Sequence, residues 1–214
     1  SSMLRAIGNP VGQTTNLTIM CWVYVDTTSE KGTYCGFGGD QNQFGGGVSF
    51  AIGDTNGTTL GNNFYVELSG VRWWQISTSS GTGWKHLAFV DRAGIQYAYV
   101  NGTLSAAVDS NIGFELGGDR GAYYGDHSNP AIARLTAGGR VASYKVFNIA
   151  LATTSIQAEI ESFWPVDVAS LRLFWPGDES LGSLVDPTQI YATSGNIISG
   201  LGTRVDGPPI TYGQ

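Results

Sequence analysis

Charged residues, histidine and cysteine are all scarce in this chain of 214 residues. Only 13% of the residues are charged, and 11 Lys plus Arg stand against 17 Asp plus Glu. The arginines are scattered singly from Arg5 to Arg204, so they form no basic stripe that could follow a phosphate backbone. No apolar run reaches the roughly 18 residues that a membrane-spanning helix needs. We therefore expect neither nucleic acid nor a membrane as a partner.

The two cysteines, Cys21 and Cys35, lie in apolar, strand-like runs that a turn-like segment over 26–32 separates. A hairpin would bring the two thiols near each other. Against a disulfide, a chain of this length has enough core to fold without one, and a buried thiol packs as a small apolar side chain. Two free thiols are the favoured interpretation, and a bridge is the alternative.

Glycine is abundant, at 31 residues, and it stands between short alternating apolar runs. The clearest example is the run 84–91, which a short connection joins to Ile95–Val100, followed by the Asn101–Gly102 turn and a third run, Thr103–Val108. Alternating runs joined by such turns predict a β-meander. Turn signals recur every 8 to 15 residues along most of the chain, which is typical of an all-β sandwich or barrel.

Similar patterns predict the remaining elements. Further strands are expected at Leu17–Val25, Tyr34–Phe37, Val48–Ile52, Phe64–Leu68, Val71–Ser77, Ile112–Leu116, Arg140–Phe147, Leu171–Trp175 and Asn196–Ile198. The stretch 117–139 is irregular and long for a simple connection, so it is either a folded-back strand region or a functional loop. One short helix is expected to begin with Thr153 or Thr154 as its N-cap and to run through Glu161 as a lid on the sandwich.

Five blocks follow one another in a characteristic order along the chain. They are Leu17–Val23, Trp84–Ala88, Tyr97–Gly102, Gly139–Asn148 and Ala150–Thr153. Together they resemble the successive signatures of laminin G-like domains, in the concanavalin A-like lectin/glucanase superfamily, over about residues 3–163. The resemblance implies an all-β fold, a two-sheet antiparallel jelly-roll sandwich with one short helix, whose rim loops often bind glycans.

The resemblance also divides the chain. Residues 1–165 are expected to form the laminin G-like domain, and residues 166–214 a C-terminal extension similar to those in phage and bacterial proteins. Because the extension begins with large aromatic residues such as Phe174 and Trp175, we expect it to pack on the same domain rather than form a free linker.

No catalytic motif is recognisable in the sequence. Cleavage of a glycosidic bond needs two carboxylates at a fixed separation, and the glucanases of this superfamily supply them from a Glu-x-Asp-x-(x)-Glu run. The acids of this chain instead occur at 159–161, at 178–179 and as isolated residues. Nucleophile-elbow, zinc-protease and paired Cys-x-x-Cys patterns are missing as well. The sequence therefore predicts a protein that is not an enzyme.

The irregular stretch holds the first candidate glycan site, formed by Tyr123, Tyr124, Asp126 and His127. Sugar binding needs this mixture, because a flat ring covers the apolar face of the sugar and planar polar groups bind its hydroxyls. The alternative is that the two tyrosines merely pack the loop onto the sandwich.

A second candidate is the pair Trp73 and Trp74. On a strand the two rings point to opposite faces, so at most one belongs to the core, and the other is a stacking platform, is covered by the C-terminal extension or lies in a subunit interface. His86, in contrast, lies within the meander on the same face as Trp84, where a buried, hydrogen-bonded structural histidine is the favoured interpretation.

Calcium is the one cofactor that the resemblance implies. Asp119 and Asp126 are the best placed acids for such a site, and the turn containing Asp40 is an alternative. Single aspartates in glycine-rich turns also bind local backbone N–H groups, which is the competing interpretation.

The sequence therefore predicts a non-catalytic glycan- or surface-binding module, plausible as a phage virion decoration or adhesion protein. The alternatives are a purely structural capsid or tail component without glycan binding, and a glycanase or polysaccharide lyase. The expected partners are a glycan, a cell or virion surface or, for a structural role, other protein subunits. Since no signal-peptide pattern is visible at the N-terminus, the expected location, a virion or extracellular surface, depends on the resemblance.

Overall fold

The alternating runs form strands in a computed structural model that describes residues 4–7, 16–27, 32–38, 47–53, 63–68, 72–77, 81–109, 120–124 and 139–175. The strands of this part are β1 (Leu4–Ile7), β2 (Asn16–Val25), β3 (Gly32–Phe37), β4 (Val48–Ile52), β5 (Phe64–Leu68), β6 (Arg72–Gln75), β7 (Gly83–Arg92), β8 (Ile95–Val100), β9 (Thr103–Asp109), β10 (Arg120–Tyr124), β11 (Arg140–Phe147) and β12 (Leu171–Trp175). Helix α1 covers Thr153–Glu161.

The strands make two six-stranded antiparallel sheets. Sheet 1 has the order β1-β10-β3-β4-β5-β6, and sheet 2 has the order β12-β11-β2-β7-β8-β9. Each sheet turns one apolar face toward the other, and these faces form the main core. The predicted fold class, a two-sheet antiparallel jelly-roll sandwich with one short helix, is confirmed.

Strand β2 lies in the middle of sheet 2, between β11 and β7. Its core-facing side chains are Leu17, Ile19, Cys21, Val23 and Val25. The opposite side carries Thr18, Met20, Trp22 and Tyr24, of which the first three are buried as well. Both sides of the strand are thus covered, as expected for a central strand whose two faces are substantially apolar.

The predicted meander β7-β8-β9 is confirmed, including its two turns. Ala93–Gly94 and Asn101–Gly102 each occupy a two-residue turn in which both residues have positive φ, between 50° and 93°. This conformation matches the twist of the flanking strands and suits Asn and Gly. The Asn101 side chain also accepts a hydrogen bond from the backbone N–H of His86, at 2.9 Å.

Helix α1 covers the outer face of sheet 2, as the lid interpretation predicted. Ile156 is fully buried there in a second apolar cluster with Met20 and Phe147. The predicted threonine cap is wrong, because the N-cap is Ala152, which has no capping side chain. The hydroxyl of Thr153 instead lies 3.3 Å from that of Tyr99, so it connects the helix to sheet 2.

A bulge in β11 brings a charged side chain under the helix. One extra residue lies between Ala142 and Lys145, and Ser143 takes a φ of 49° there. Lys145 therefore faces α1, where its ammonium group donates to Glu159 Oε2 at 2.7 Å and to the carbonyls of Glu159 (3.1 Å) and Ser162 (3.0 Å). Both side chains are 1% exposed. All three ammonium donors have acceptors, as a buried charge requires.

The structure differs from the predicted elements at several places. Strand β1 was not predicted, and β10 occupies part of the irregular stretch 117–139, which supports the folded-back alternative. The strands expected at Ile112–Leu116 and Asn196–Ile198 lie outside the described residues, as does most of the extension. The first strand of the extension, β12, pairs with β11. The domain boundary at residue 165 stays a prediction. Within the described ranges, no helix is long and apolar enough to cross a membrane.

Candidate functional site

Two of the predicted aromatic positions share one register row of sheet 1. Trp73 pairs with Glu67, Glu67 with Ser49, Ser49 with Gly36, and Gly36 with Tyr123. Four inter-strand spacings of about 4.8 Å separate the two ends of this row, or roughly 19 Å. The tryptophan pair and the tyrosine pair therefore belong to the same sheet without forming one compact site.

Between these ends, the row is polar and buried. Ser49 Oγ donates a hydrogen bond to Glu67 Oε2 at 2.9 Å, and the two residues are 2% and 3% exposed. Trp74, one position beyond Trp73, is the core member of the tryptophan pair and is only 8% exposed. Its ring packs between the sheets and is thereby withdrawn from stacking on a ligand.

The other predicted site residues are not placed by the structure. Asp119, Asp126 and His127 lie outside the described residues, and so does the alternative acid Asp40. Their assignments to calcium or glycan binding stay predictions. Within the described part of the chain, no group of three or more His, Cys, Asp or Glu side chains is arranged to hold a metal ion.

A different group of side chains comes together on the outer face of sheet 2, in the two rows that follow the row of Met20 and Lys145. We call it the aromatic face and define it as Trp22, Tyr24, Trp84, His86 and Arg140. Strand β2 supplies the first two residues, β7 the next two and β11 the last. In register, Tyr24 pairs with both Trp84 and Arg140, and Trp22 pairs with His86, so the five residues occupy two adjacent rows.

The outer row of the aromatic face is half-buried. The Tyr24 and Trp84 rings meet edge to face, with centroids 5.4 Å apart, and the Arg140 guanidinium carbon lies 4.5 Å from the centre of the Tyr24 ring. Such pairs hold their rings in fixed orientations, and the cation is attracted to the face of the tyrosine. The outer row thus presents the rings of Tyr24 and Trp84 in fixed orientations, next to the N–H donors of the Arg140 guanidinium.

The inner row is buried and lacks polar partners. Trp22 is 7% exposed, His86 is 2% exposed, and their rings meet edge to face at 5.3 Å. Among the described residues, neither Trp22 Nε1 nor His86 Nδ1 has a hydrogen-bond partner. An unsatisfied buried polar atom costs about 1–3 kcal/mol, and such atoms are rare outside functional sites or bound water.

Burial also decides the charge of His86. Loss of solvent, reinforced by the positive charge of Lys145, lowers the pKa of His86 to about 3. The imidazole is therefore neutral near pH 7, with one nitrogen donating and the other accepting. The expected burial of His86 is confirmed, but its expected hydrogen bond is not found at Nδ1 in the described part of the chain.

The aromatic face was not among the predicted sites, although part of its signal is present in the sequence. Alternation along Leu17–Val25 puts Trp22 and Tyr24 on the side opposite the core, and alternation along the meander puts Trp84 and His86 on one side. What joins these pairs is the register between β2 and β7. Arg140 comes from a strand more distant in sequence, and local patterning carries no information on that pairing.

Comparison with known proteins agrees with this architecture. A laminin G family model, described as the concanavalin A-like lectin/glucanases superfamily, matches residues 4–157, most of the chain. This chain belongs to that superfamily. This match confirms the resemblance of the five sequence blocks to laminin G-like domains. The match does not show a phage or bacterial origin.

Solved structures of other proteins show a similar fold. A candidate carbohydrate-binding protein from Bacteroides ovatus is similar over 82% of this chain, with a TM-score of 0.57 and 20% identity. A heptameric SAP-like pentraxin from Limulus polyphemus is similar over 73% of this chain and 74% of its own, with a TM-score of 0.54 and 15% identity. The NanB sialidase from Streptococcus pneumoniae aligns over 69% of this chain and 24% of its own, with a TM-score of 0.51 and 14% identity.

These similarities establish that the chain shares its fold with the three proteins. The chain spans 49% of the Bacteroides ovatus protein's length, so that protein contains further sequence without a counterpart here. No protein of curated function matches the sequence significantly. The activity of the chain therefore has to be argued from its own residues.

Proposed function

We propose that this domain binds glycans without cleaving them, through the aromatic face of sheet 2. The observation that carries the proposal is the half-buried row of Tyr24, Trp84 and Arg140 beside two buried polar atoms that lack partners among the described residues. Similarity in fold to a candidate carbohydrate-binding protein supports the same choice.

The chemistry of the face suits a neutral or weakly charged sugar. The C–H groups on one side of a pyranose ring pack on aromatic surface, which Tyr24 and Trp84 supply. The fixed fork of guanidinium donors on Arg140 binds hydroxyl oxygens or a carboxylate of the glycan. Because the pKa of His86 is lowered to about 3, the inner row adds no positive charge to the face near pH 7.

Cleavage has no support at this face. Hydrolysis of a glycosidic bond by the usual mechanism requires an acid and a second carboxylate about 5–10 Å apart. None of the five residues of the aromatic face is a carboxylate. A binding module is therefore the function that the arrangement favours over a glycanase.

The finer assignments depend on the resemblance alone. A virion decoration or adhesion role, a purely structural role in a capsid or tail, a virion or extracellular location, and calcium binding by Asp119 or Asp126 stay predictions. The row between Trp73 and Tyr123 in sheet 1 is a second possible location for the glycan within the same proposed function.

A glycan array with three single variants tests the proposal. The wild-type domain is expected to bind a defined set of glycans, and Trp84→Ala is expected to weaken that binding by about fivefold or more, since one stacked ring is worth about 1 kcal/mol or more. Trp164→Ala is the matched control, because Trp164 is 38% exposed and lies outside the aromatic face. Its binding should equal that of the wild type.

The third variant, Trp73→Ala, separates the two locations. Loss of binding in Trp73→Ala, with Trp84→Ala unaffected, would move the site to sheet 1 and reject the aromatic face. An array without any signal would reject glycan binding itself. New reducing ends in a polysaccharide panel, abolished by one Asp or Glu substitution, would reject the non-catalytic part.

A further inference from the structure

The two cysteines of the chain meet inside the sandwich. Cys21 lies on β2 of sheet 2 and Cys35 on β3 of sheet 1, and their sulfur atoms are 3.3 Å apart. Both are free thiols and both are fully buried in the main core. The expectation of two free thiols is confirmed for this structure, and the strands that hold them lie in different sheets.

A bulge brings Cys35 into this position. Between Thr33 and Cys35 the register of β3 shifts by one residue relative to β4, because Thr33 pairs with Ala51 and Cys35 with Phe50. Without the extra residue, Cys35 would share the outer side of the sheet with Thr33. With it, Tyr34 and Cys35 both belong to the core, and Cys35 faces Cys21.

We propose that Cys21 and Cys35 form a disulfide that ties the two sheets together when the protein meets a disulfide oxidant. The sulfurs are only about 1.3 Å farther apart than in a disulfide bond, so small rotations of the two side chains close the gap. The chain contains 2 cysteines in total, so within one molecule no other pairing competes. This proposal is independent of glycan binding.

With oxidised glutathione as the oxidant, the exchange balances in two steps. One cysteine thiolate attacks a sulfur of glutathione disulfide, which forms a mixed disulfide and releases one glutathione thiolate. The second cysteine thiolate attacks the first cysteine sulfur and releases the other glutathione. The two cysteine sulfurs together lose two electrons, which reduce one glutathione disulfide, and the two thiol protons pass to the two released glutathiones.

The burial of both cysteine sulfurs in the core limits the exchange in the folded protein. Burial, together with the neighbouring Cys21, raises the pKa of the Cys35 thiol well above its usual value. The reactive thiolate is therefore scarce in the folded state, and glutathione has no path to a sulfur that is 0% exposed. Oxidation is expected during folding or transient opening, so refolding in the presence of oxidised glutathione should give the bridge fastest.

The experiment refolds the full chain with oxidised or reduced glutathione, then denatures it and adds iodoacetamide before mass spectrometry. The expected oxidised product takes up no reagent, is lighter than the reduced protein by two hydrogen atoms, and yields a linked peptide containing both cysteines. Its melting temperature should exceed that of the reduced form by about 5 °C or more. Dithiothreitol should reverse both changes.

Cys21→Ser and Cys35→Ala, made separately, are the controls. Each should retain one thiol that reacts with iodoacetamide or carries one glutathione, and neither should show the rise in melting temperature. The proposal is overturned if the oxidised wild type keeps two reactive thiols, accumulates glutathione adducts or dimers instead of the bridge, or loses its native circular dichroism on bridging.

Discussion

The outer face of sheet 2 has two halves that the same strands build in different ways. Under α1, side chains from β2, β7 and β11 form a closed apolar cluster, and the buried ammonium of Lys145 has three acceptors. At the aromatic face, the next rows of these strands carry a half-buried aromatic row and two buried polar atoms without partners among the described residues.

The half under α1 contributes to stability, whereas the aromatic face is the half that we propose binds a ligand. In the covered half, every donor of the buried charge is used, and Glu159 Oε1 accepts from the backbone N–H groups of Val166 and Asp167 as well, at 2.9 and 2.7 Å. Satisfied groups of this kind hold one conformation. In the aromatic half, two buried polar atoms lack such partners among the described residues, at a cost in folding free energy. We expect substitutions in the two halves to affect different measurements.

The largest effect is expected from Lys145→Ala, which leaves the Glu159 carboxylate buried without its counterion. Breaking a buried pair from one side costs about 3–5 kcal/mol of unfolding free energy. Urea denaturation measures this change. Lys85→Ala is the matched control, because Lys85 is half-buried on β7, and its loss should cost about 0.5 kcal/mol or less. Equal effects of the two variants would contradict the distinction between the halves.

Next in size is the pH dependence that His86 confers. Its pKa is lowered to about 3 in the fold, against 6.5 as the ordinary value, so the unfolded chain binds the proton first as pH falls. Between these two values stability therefore rises with pH, and it should fall by about 2 kcal/mol from pH 6.5 to about pH 4.5.

His86→Gln isolates this contribution, since glutamine does not titrate. Urea denaturation of both proteins at several pH values is the measurement, and the difference between them is what counts. Asp91, whose pKa burial raises, titrates in both proteins and cancels from the difference. The same slope in both proteins would show that His86 is not held neutral.

A smaller effect on stability is expected at the turn between β8 and β9, where Gly102 lies against helix α1. Gly102 has a φ of +74°, and a Cβ atom there would lie 2.9 Å from Ile160 Cδ1 of the helix. Gly94 also has a positive φ, +93°, but open space around its Cβ position. Gly102→Ala should therefore cost about 1–2 kcal/mol, and more than Gly94→Ala, because both substitutions strain the backbone and only the first also forces the Ile160 side chain to move. Thermal melts compare the two.

Much of the fold could be predicted because its signals are local. The spans Val48–Ile52, Phe64–Leu68, Ile95–Val100 and Arg140–Phe147 were predicted with their observed bounds, since alternation and flanking turn residues mark a strand without knowledge of its partners. Strand β1 could not be predicted in this way. It has only four residues, and it is a strand because it pairs with β10.

The candidate site was less predictable than the fold. Alternation along the strand predicted that at most one ring of the Trp73–Trp74 pair is in the core, and the structure places Trp74 there. The aromatic face could not be found from spacing, because its members come from three strands whose register is set by non-local pairing. Arg140 reaches Tyr24 through the pairing of β11 with β2, two strands far apart in the sequence.

The sequence by itself determined most of the strands, the meander turns and, outside the bulges, which residues of a strand share a face, because backbone alternation and positive-φ turns depend on neighbouring residues. Tertiary structure alone decided which faces meet. Two bulges, at Tyr34 and Ser143, change the alternation and thereby bring Cys35 to Cys21 and Lys145 to Glu159. Such contacts depend on strand pairing and sheet packing, which the spacing of residues along the chain does not encode.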